Sequence, residues 1–260
     1  MHLALTREVS SAIVRCTLTH VPRQSIDLDR ARRQHRAYEA ALTGLGCTVR
    51  RLPPEPQLPD AVFVEDTAVV LDELAVLTRP GAASRRSEVP SVAEALAPHR
   101  TCVRIEPPGT LDGGDVLVIG RDVHVGLSSR SNAEGIAQLR RLLEPHGYRV
   151  RTVFVTGCLH LKSAVTQVGP ELVLLNPAWV DPEAFPTLRS ISIDPGEPFA
   201  ANALRVGNTV LYPLEHPRTA ERLQSVGVEA RSVETSELAK AEGGVTCCCV
   251  LVSSSTTKGA

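Results

Sequence analysis

The stretch GGVTCCCVLV, residues 243–252, sets a glycine pair and three consecutive cysteines ahead of an aliphatic run. It supplies one strand at the C-terminal end, and MHLALTRE, residues 1–8, resembles its partner at the start of the chain. A helix from about Asp27 to Leu45 follows, with Gly46 as its stop, then the strand CTVRRL. Together these make one strand–strand–helix–strand unit split across the two termini.

Working outward, hydrophobic periodicity shows the same theme four more times. EDTAVVLDELAVLTRPG (65–81) is an apolar run, an acidic turn and a second apolar run, followed by a helix-like SEVPSVAEALAPHR and the strand TCVRIE. GGDVLVIGRDVHVGLSSR (113–130) leads to SNAEGIAQLRRLLEPHG, where Asn132 suits an N-cap and Ile136, Leu139, Leu142 and Leu143 form a helical stripe, then to YRVRTVFV. SAVTQVGPELVLLNP (163–177) precedes a shorter Pro-interrupted stretch and SISI. ANALRVGNTVLYPLEHP (201–217) carries Gly207-Asn208 as a hairpin turn and is followed by RTAERLQSVG and VEARSV. Five units beginning near residues 65, 114, 163, 202 and 243, the last completed by the first residues, predict an α/β fold closed into a five-bladed propeller. Such closure removes free sheet edges. The alternative is a generic α/β sheet with hairpins. Residues 1–252 are expected as a single catalytic propeller domain and 253–260 as a disordered tail.

If the first strand of each unit lines the axis, their starts converge on one end of it. Those starts hold Glu65-Asp66, Asp112-Gly113-Gly114-Asp115, His160-Leu161-Lys162-Ser163 and Gly243 through Cys247. Carboxylates, a histidine and a cysteine are the ingredients of covalent catalysis.

Composition narrows the function classes. A net charge of −1 gives no basic footprint for nucleic acid or anionic membrane, and 3% aromatic residues provide little for stacking on bases. No window approaches 18 uncharged apolar residues, so no membrane span is expected. Seven cysteines without a signal-peptide pattern suggest reduced thiols in a cytoplasm. Adjacent cysteines do not space ligands for zinc. In a strand Cys247 and Cys249 would face one way and Cys248 the other. Cys248 and Cys249 read as small buried hydrophobes, whereas Cys247, opening the strand after Gly-Gly-Val-Thr, can meet the axis. A thiolate needs help at neutral pH, and His160 is its natural partner. Asp66, between two apolar runs, would be costly unless paired. LDGGD can be explained as a turn alone, yet carboxylates near the axis would suit a planar guanidinium. Arginines in RPGAASRR (79–86) and LSSR (127–130) sit in loops after the hairpins.

LPDAVFVEDTAVV, LTRPGAASRRSEV, LDGGDVL, VGLSSRSN, LHLKS and GGVTCC occur in that order from about residue 59 to 249. Together they resemble the dimethylarginine dimethylaminohydrolase family, within the guanidine-modifying superfamily of five-bladed propellers. The resemblance implies Cys247 as nucleophile, His160 as general acid and base, and Asp112 as the group that orients His160. It implies Asp66, with Glu65 beside it, on the guanidinium nitrogens. Arg85 and Arg130 would take the substrate carboxylate and Asp60 its α-amino group. Backbone carbonyls of Leu18 and Ala241 would add to that, under a mobile lid formed by CTLTHVPR (16–23). The family's serine after TCC is Cys249 here, a departure expected to alter packing more than the reaction. The implied activity is hydrolysis of Nω-methylated arginine to citrulline and a methylamine, with no metal or organic cofactor, a small-molecule substrate as partner and a homodimer as a plausible assembly. Arginine deiminase is the nearest rival, but its motif after the histidine resembles HLD where this chain reads His160-Leu161-Lys162. A catalytically silent propeller used as a binding module is the rival of another class.

Overall fold

The computed structural model describes residues 2–253. Its strands form five three-stranded sheets, one per unit. The first unit holds β3 (Ala68–Val70), β4 (Leu74–Leu77), α2 (Val89–Leu96) and β5 (Thr101–Arg104). The second holds β6 (Val116–Ile119), β7 (Asp122–Leu127), α3 (Ala133–Leu143) and β8 (Arg149–Phe154). The third has α4 (Leu161–Ala164), β9 (Val165–Gly169), β10 (Leu172–Leu175) and β11 (Arg189–Ser192). The fourth has β12 (Leu204–Val206), β13 (Thr209–Pro213), α5 (Pro217–Ser225) and β14 (Glu229–Val233). The fifth joins α6 (Ser236–Ala239) and β15 (Val250–Ser253) to β1 (His2–Arg7), α1 (Leu28–Gly44) and β2 (Cys47–Leu52).

In every sheet the first strand runs antiparallel to the second and the second parallel to the third. In the first four units a short hairpin supplies the antiparallel pair, while a parallel pair needs a long crossover, which is where α1, α2, α3 and α5 fall. α1 starts because the Asp27 carboxylate accepts the Arg30 N–H, and it buries Ala31, Tyr38 and Leu42. α3 starts on Asn132, which accepts from Gly135 N–H, and buries Ile136, Leu139 and Leu143. The third unit, interrupted by prolines as read from sequence, crosses with only a 3-10 turn at Pro182–Ala184.

The split unit closes the ring. His2 to Leu5 pair with Ser253 to Val250, and Leu5, Val250 and Val252 pack on Ala68, Leu77, Val92 and Leu96 of the first unit. Each fully buried Val or Leu contributes about 1.5–3 kcal/mol, so side chains as well as ladder bonds hold the seam. The chain is thus a propeller-like α/β fold of five pseudo-repeated units. Residues of β3, β6, β9, β12 and β15 together border one axial cavity, so the first strands do line the axis. Among the described residues no helix is long and apolar enough to cross a membrane.

Two boundaries differ from the sequence reading. The cysteines precede the strand rather than open it. Cys247 N–H bonds to the Gly244 carbonyl and Cys249 N–H to that of Thr246, so this segment turns, and β15 begins only at Val250. Ser253 still belongs to β15; the rest of the expected tail lies outside the described residues.

Candidate active site

Glu65 and Asp66 lie in a 3-10 turn ahead of β3, and Gly113–Asp115 in another ahead of β6. His160 caps α4 ahead of β9, and Cys247 sits in the turn ahead of β15. Each segment leaves the axis for the same end of the ring, which brings residues 180 positions apart into one cluster.

His160 is buried at its centre. Its Nε2 lies 3.0 Å from Asp112 Oδ2 and its Nδ1 3.8 Å from Asp66 Oδ1. Burial pulls the ring's pKa down, but the Asp66 charge, the Asp112 hydrogen bond and Asp115 outweigh it and raise it to about 9. Asp112, fully buried behind the ring, accepts Gly81 N–H at 2.8 Å through its other oxygen. Asp66 is also buried; His160 and Arg85 overcome its burial and hold its pKa below the ordinary carboxylate value. It accepts Gly114 N–H at 2.9 Å and pairs with Arg85 Nη1 at 2.5 Å. The glycine is required by close approach: a Cβ on Gly114 would stand 2.6 Å from the His160 ring and 2.7 Å from Asp66. The LDGGD motif is therefore built around the histidine as well as around a turn.

Asp115, which the sequence leaves open between turn chemistry and a carboxylate for a cationic substrate, anchors the helix that follows the histidine. It accepts Leu161 N–H at 2.9 Å and the hydroxyls of Ser128 and Ser131 at 2.6 and 2.7 Å. Burial raises its pKa to about 6 against the pull of His160 and those hydroxyls.

The cavity facing His160 is also lined by Cys247, Asp66, Asp60, Arg85, Arg130 and Ala241. Arg85 is heavily committed, to Asp66, to Glu88 at 2.7 Å, and to the carbonyls of Asp60 and Phe63. Arg130 makes one long bond, 3.3 Å to Thr19 Oγ1. It is the freer cation for a ligand carboxylate. Asp60 accepts Thr17 N–H at 3.1 Å.

Two of the sequence candidates are not among the residues that line this cavity. The Leu18 side chain packs against the core cluster of the fifth unit, and its neighbour Thr17 lines the cavity. Glu65 borders the axial cavity, where it accepts the Thr246 hydroxyl at 2.7 Å and pairs with Lys162 Nζ at 2.5 Å. Consecutive residues of the 3-10 turn diverge, so Asp66 enters the site and Glu65 leaves it.

The loop after Cys16 is held down over the cavity. The Glu242 carboxylate accepts the N–H groups of Thr19, His20 and Val21, at 2.9 Å from Thr19 and 2.8 Å from Val21. Glu242 has φ +58°, a strained conformation for a residue with a side chain, which aims the carboxylate at the loop. No local pattern announces this contact, made across more than 220 residues.

The Cys247 sulfur accepts Gly244 N–H at 3.3 Å. Burial, with Glu65 and Asp66 nearby, pushes its thiol well above the ordinary pKa. Cys248 and Cys249 are buried in the core, as expected of packing residues. All seven cysteines are free thiols. Asp66, Asp112 and His160 place one ligand atom each within 4.8 Å of one another. To bind there a metal ion would have to displace the His160 proton and compete with Arg85 for Asp66.

The His160 shift predicts a stability profile. A folded-state pKa of about 9 against an ordinary 6.5 gives stabilisation that is full below pH 6.5 and lost as pH rises through 9. The wild-type Tm should therefore fall by roughly 5 °C more than that of His160→Gln between pH 6.5 and 8.5, read by calorimetry. Parallel curves would contradict the charged histidine.

The family model for N,N dimethylarginine dimethylhydrolase, eukaryotic, matches residues 18–183. The N(G),N(G)-dimethylarginine dimethylaminohydrolase of Streptomyces coelicolor is 42% identical over 246 residues, 94% of each chain. A mutant of the Pseudomonas aeruginosa enzyme complexed with citrulline superposes with a TM-score of 0.90 at 34% identity, over 95% of this chain and 98% of that one. A dimethylarginine dimethylaminohydrolase adduct with S-methyl-L-thiocitrulline gives 0.91 at 33% identity, over 96% and 100%.

Proposed function

The chain belongs to the dimethylarginine dimethylaminohydrolase family, and from that premise we propose that it hydrolyses Nω-methylated arginines to citrulline and a methylamine. The observation that carries this reading is one cavity with a cysteine, a histidine between two carboxylates and a lightly held arginine on its walls.

Arg130 holds the substrate carboxylate and Asp60 its α-amino group, with the Ala241 carbonyl nearby. Arg85 contributes chiefly by fixing Asp66, which binds the guanidinium nitrogens. Glu65 acts from below, through Thr246 and Lys162, rather than as a direct ligand. The incoming cation offsets the negative surroundings that keep Cys247 protonated, so the thiol gives its proton to solvent when substrate is present and the thiolate expelled at the end of the cycle takes one back. Its sulfur attacks the guanidinium carbon, and His160, held as imidazolium by Asp66 and Asp112, protonates the departing amine as the C–N bond breaks. A thiouronium on Cys247 remains. Neutral His160 then takes a proton from water as its oxygen attacks the same carbon, the C–S bond breaks and citrulline leaves. Cysteine and histidine complete this cycle without a cofactor.

A deiminase would carry a further carboxylate two residues after the histidine. Here that residue is Lys162, turned to Glu65 in the axial cavity. A silent binding module has no need of the charged cluster. We take residues 1–252 as one catalytic unit, because the fifth sheet needs both ends of the chain. The free thiols suit a cytoplasmic enzyme, and the exposed outer strands leave room for a homodimer.

Citrulline release from asymmetric dimethylarginine beside arginine tests the reading. Turnover of the methylated substrate with kcat/KM at least roughly 10²-fold above arginine is expected, the scale a pocket built for one substituent reaches. Preferred turnover of arginine would move the chain to the deiminases, and turnover of neither would make it a binding module.

A further inference from the structure

The fourth unit contributes no group to the chemistry above, yet it sends one buried amide to the underside of the site. Asn202, 7% exposed and two residues ahead of β12, donates through Nδ2 to the Lys162 carbonyl at 2.9 Å and to Thr246 Oγ1 at 3.0 Å. Its Oδ1 accepts Thr246 N–H at 3.1 Å. Thr246 passes its own hydroxyl proton to Glu65 at 2.7 Å, and Glu65 pairs with Lys162 Nζ at 2.5 Å. The bonds close a ring: Asn202, Thr246, Glu65, Lys162 and back to Asn202. Both protons and the oxygen of the amide are used, so only one orientation of Asn202 satisfies it.

We propose that Asn202 is a positioning residue that sets Cys247 relative to His160, by tying the nucleophile's turn to the helix that follows the histidine. Thr246 is the residue before Cys247, and Lys162 lies two after His160. The two segments belong to different units. The turn is built for the contact: a Cβ on Gly244, whose N–H bonds the Cys247 sulfur, would stand 2.3 Å from Asn202 Oδ1. An amide needed only to satisfy its own polarity could bond anywhere; this one bonds both segments that carry reacting groups. Fully satisfied buried networks rigidify their surroundings, and displacing a reacting group by about 1 Å can cost roughly 10²-fold in rate.

The inference rests on Cys247 and His160 acting as proposed, so its test reads the thiol as well as turnover. Asn202→Ala should lower kcat for asymmetric dimethylarginine by roughly 30- to 100-fold with KM within about 3-fold, because no cavity contact to the amino-acid end changes. It should also shift the pH profile for alkylation of Cys247 by 2-chloroacetamidine, followed by intact mass. Thr246→Val breaks the ring from its other side and should reproduce both effects. Thr246→Ser, which keeps the hydroxyl, should recover most of the loss. The double variant Asn202→Ala/Thr246→Val should be little worse than the poorer single one, since one ring is broken once. If Asn202→Ala does not fold, Thr246→Val and Thr246→Ser carry the test alone. A lowered Tm with kcat and the alkylation profile unchanged would overturn the proposal, as would additive losses in the double variant. Wild-type protein that alkylates but turns over no methylarginine would defeat the proposed function, while the alkylation profiles would still decide the role of Asn202.

Discussion

Cys247→Ser is expected to leave the protein folded and to remove turnover of asymmetric dimethylarginine, with kcat down by at least roughly 10⁴-fold. The size of the loss follows from the surroundings. Burial, Glu65 and Asp66 already hold the thiol above its ordinary pKa. A hydroxyl, far less acidic to begin with, meets the same forces and does not ionise when the guanidinium arrives. The exchange of sulfur for oxygen at a half-buried turn removes little packing, so the Tm should move by no more than about 2 °C. Arg130, Asp60 and Asp66 are untouched, so the variant should still bind substrate, as read by calorimetry. More than a hundredth of wild-type activity in the variant would remove Cys247 from the mechanism.

His160→Gln should lower kcat by roughly 10²- to 10⁴-fold, the range for a general acid–base group. Glutamine can still reach Asp112, which limits the cost of leaving that buried carboxylate without a partner. It supplies no proton at the leaving nitrogen and takes none from water. Both halves of the cycle lose, and the second has no alternative base: the Asp66 carboxylate is bound to Arg85 and Gly114, and that of Asp112 to Gly81. The variant should therefore hold a covalent adduct on Cys247 long after the transient adduct of the wild type has decayed. Wild-type kcat in His160→Gln, or a pH profile identical to wild type, would show that another group moves the proton.

The ring was legible because its evidence is periodic. Paired apolar runs followed by a crossover and a third strand recur five times, and the same logic places β15 beside β1 although their sequences lie at opposite ends. The site's location followed from that rule, since the starts of the first strands must meet. Side-chain direction did not follow. Glu65 and Asp66 are neighbours in EDT, yet the turn sends one to Lys162 and the other to His160, and nothing in those letters separates them. Cys247 to Cys249 continue a strand-like pattern into Val250, and only the turn bonds to Gly244 and Thr246 reveal that the backbone bends first. Asn202 and Glu242 act through side-chain contacts to distant segments, of a kind that leaves no local spacing to read.

The most direct test mixes wild-type protein with asymmetric dimethylarginine, quenches in acid within one turnover, and weighs the intact chain and its peptides. The account predicts an adduct equal in mass to the substrate less dimethylamine, confined to the peptide carrying Cys247, appearing with the release of dimethylamine and decaying with the release of citrulline. Citrulline formed with no adduct in any time window, or an adduct on a cysteine other than Cys247, would contradict it.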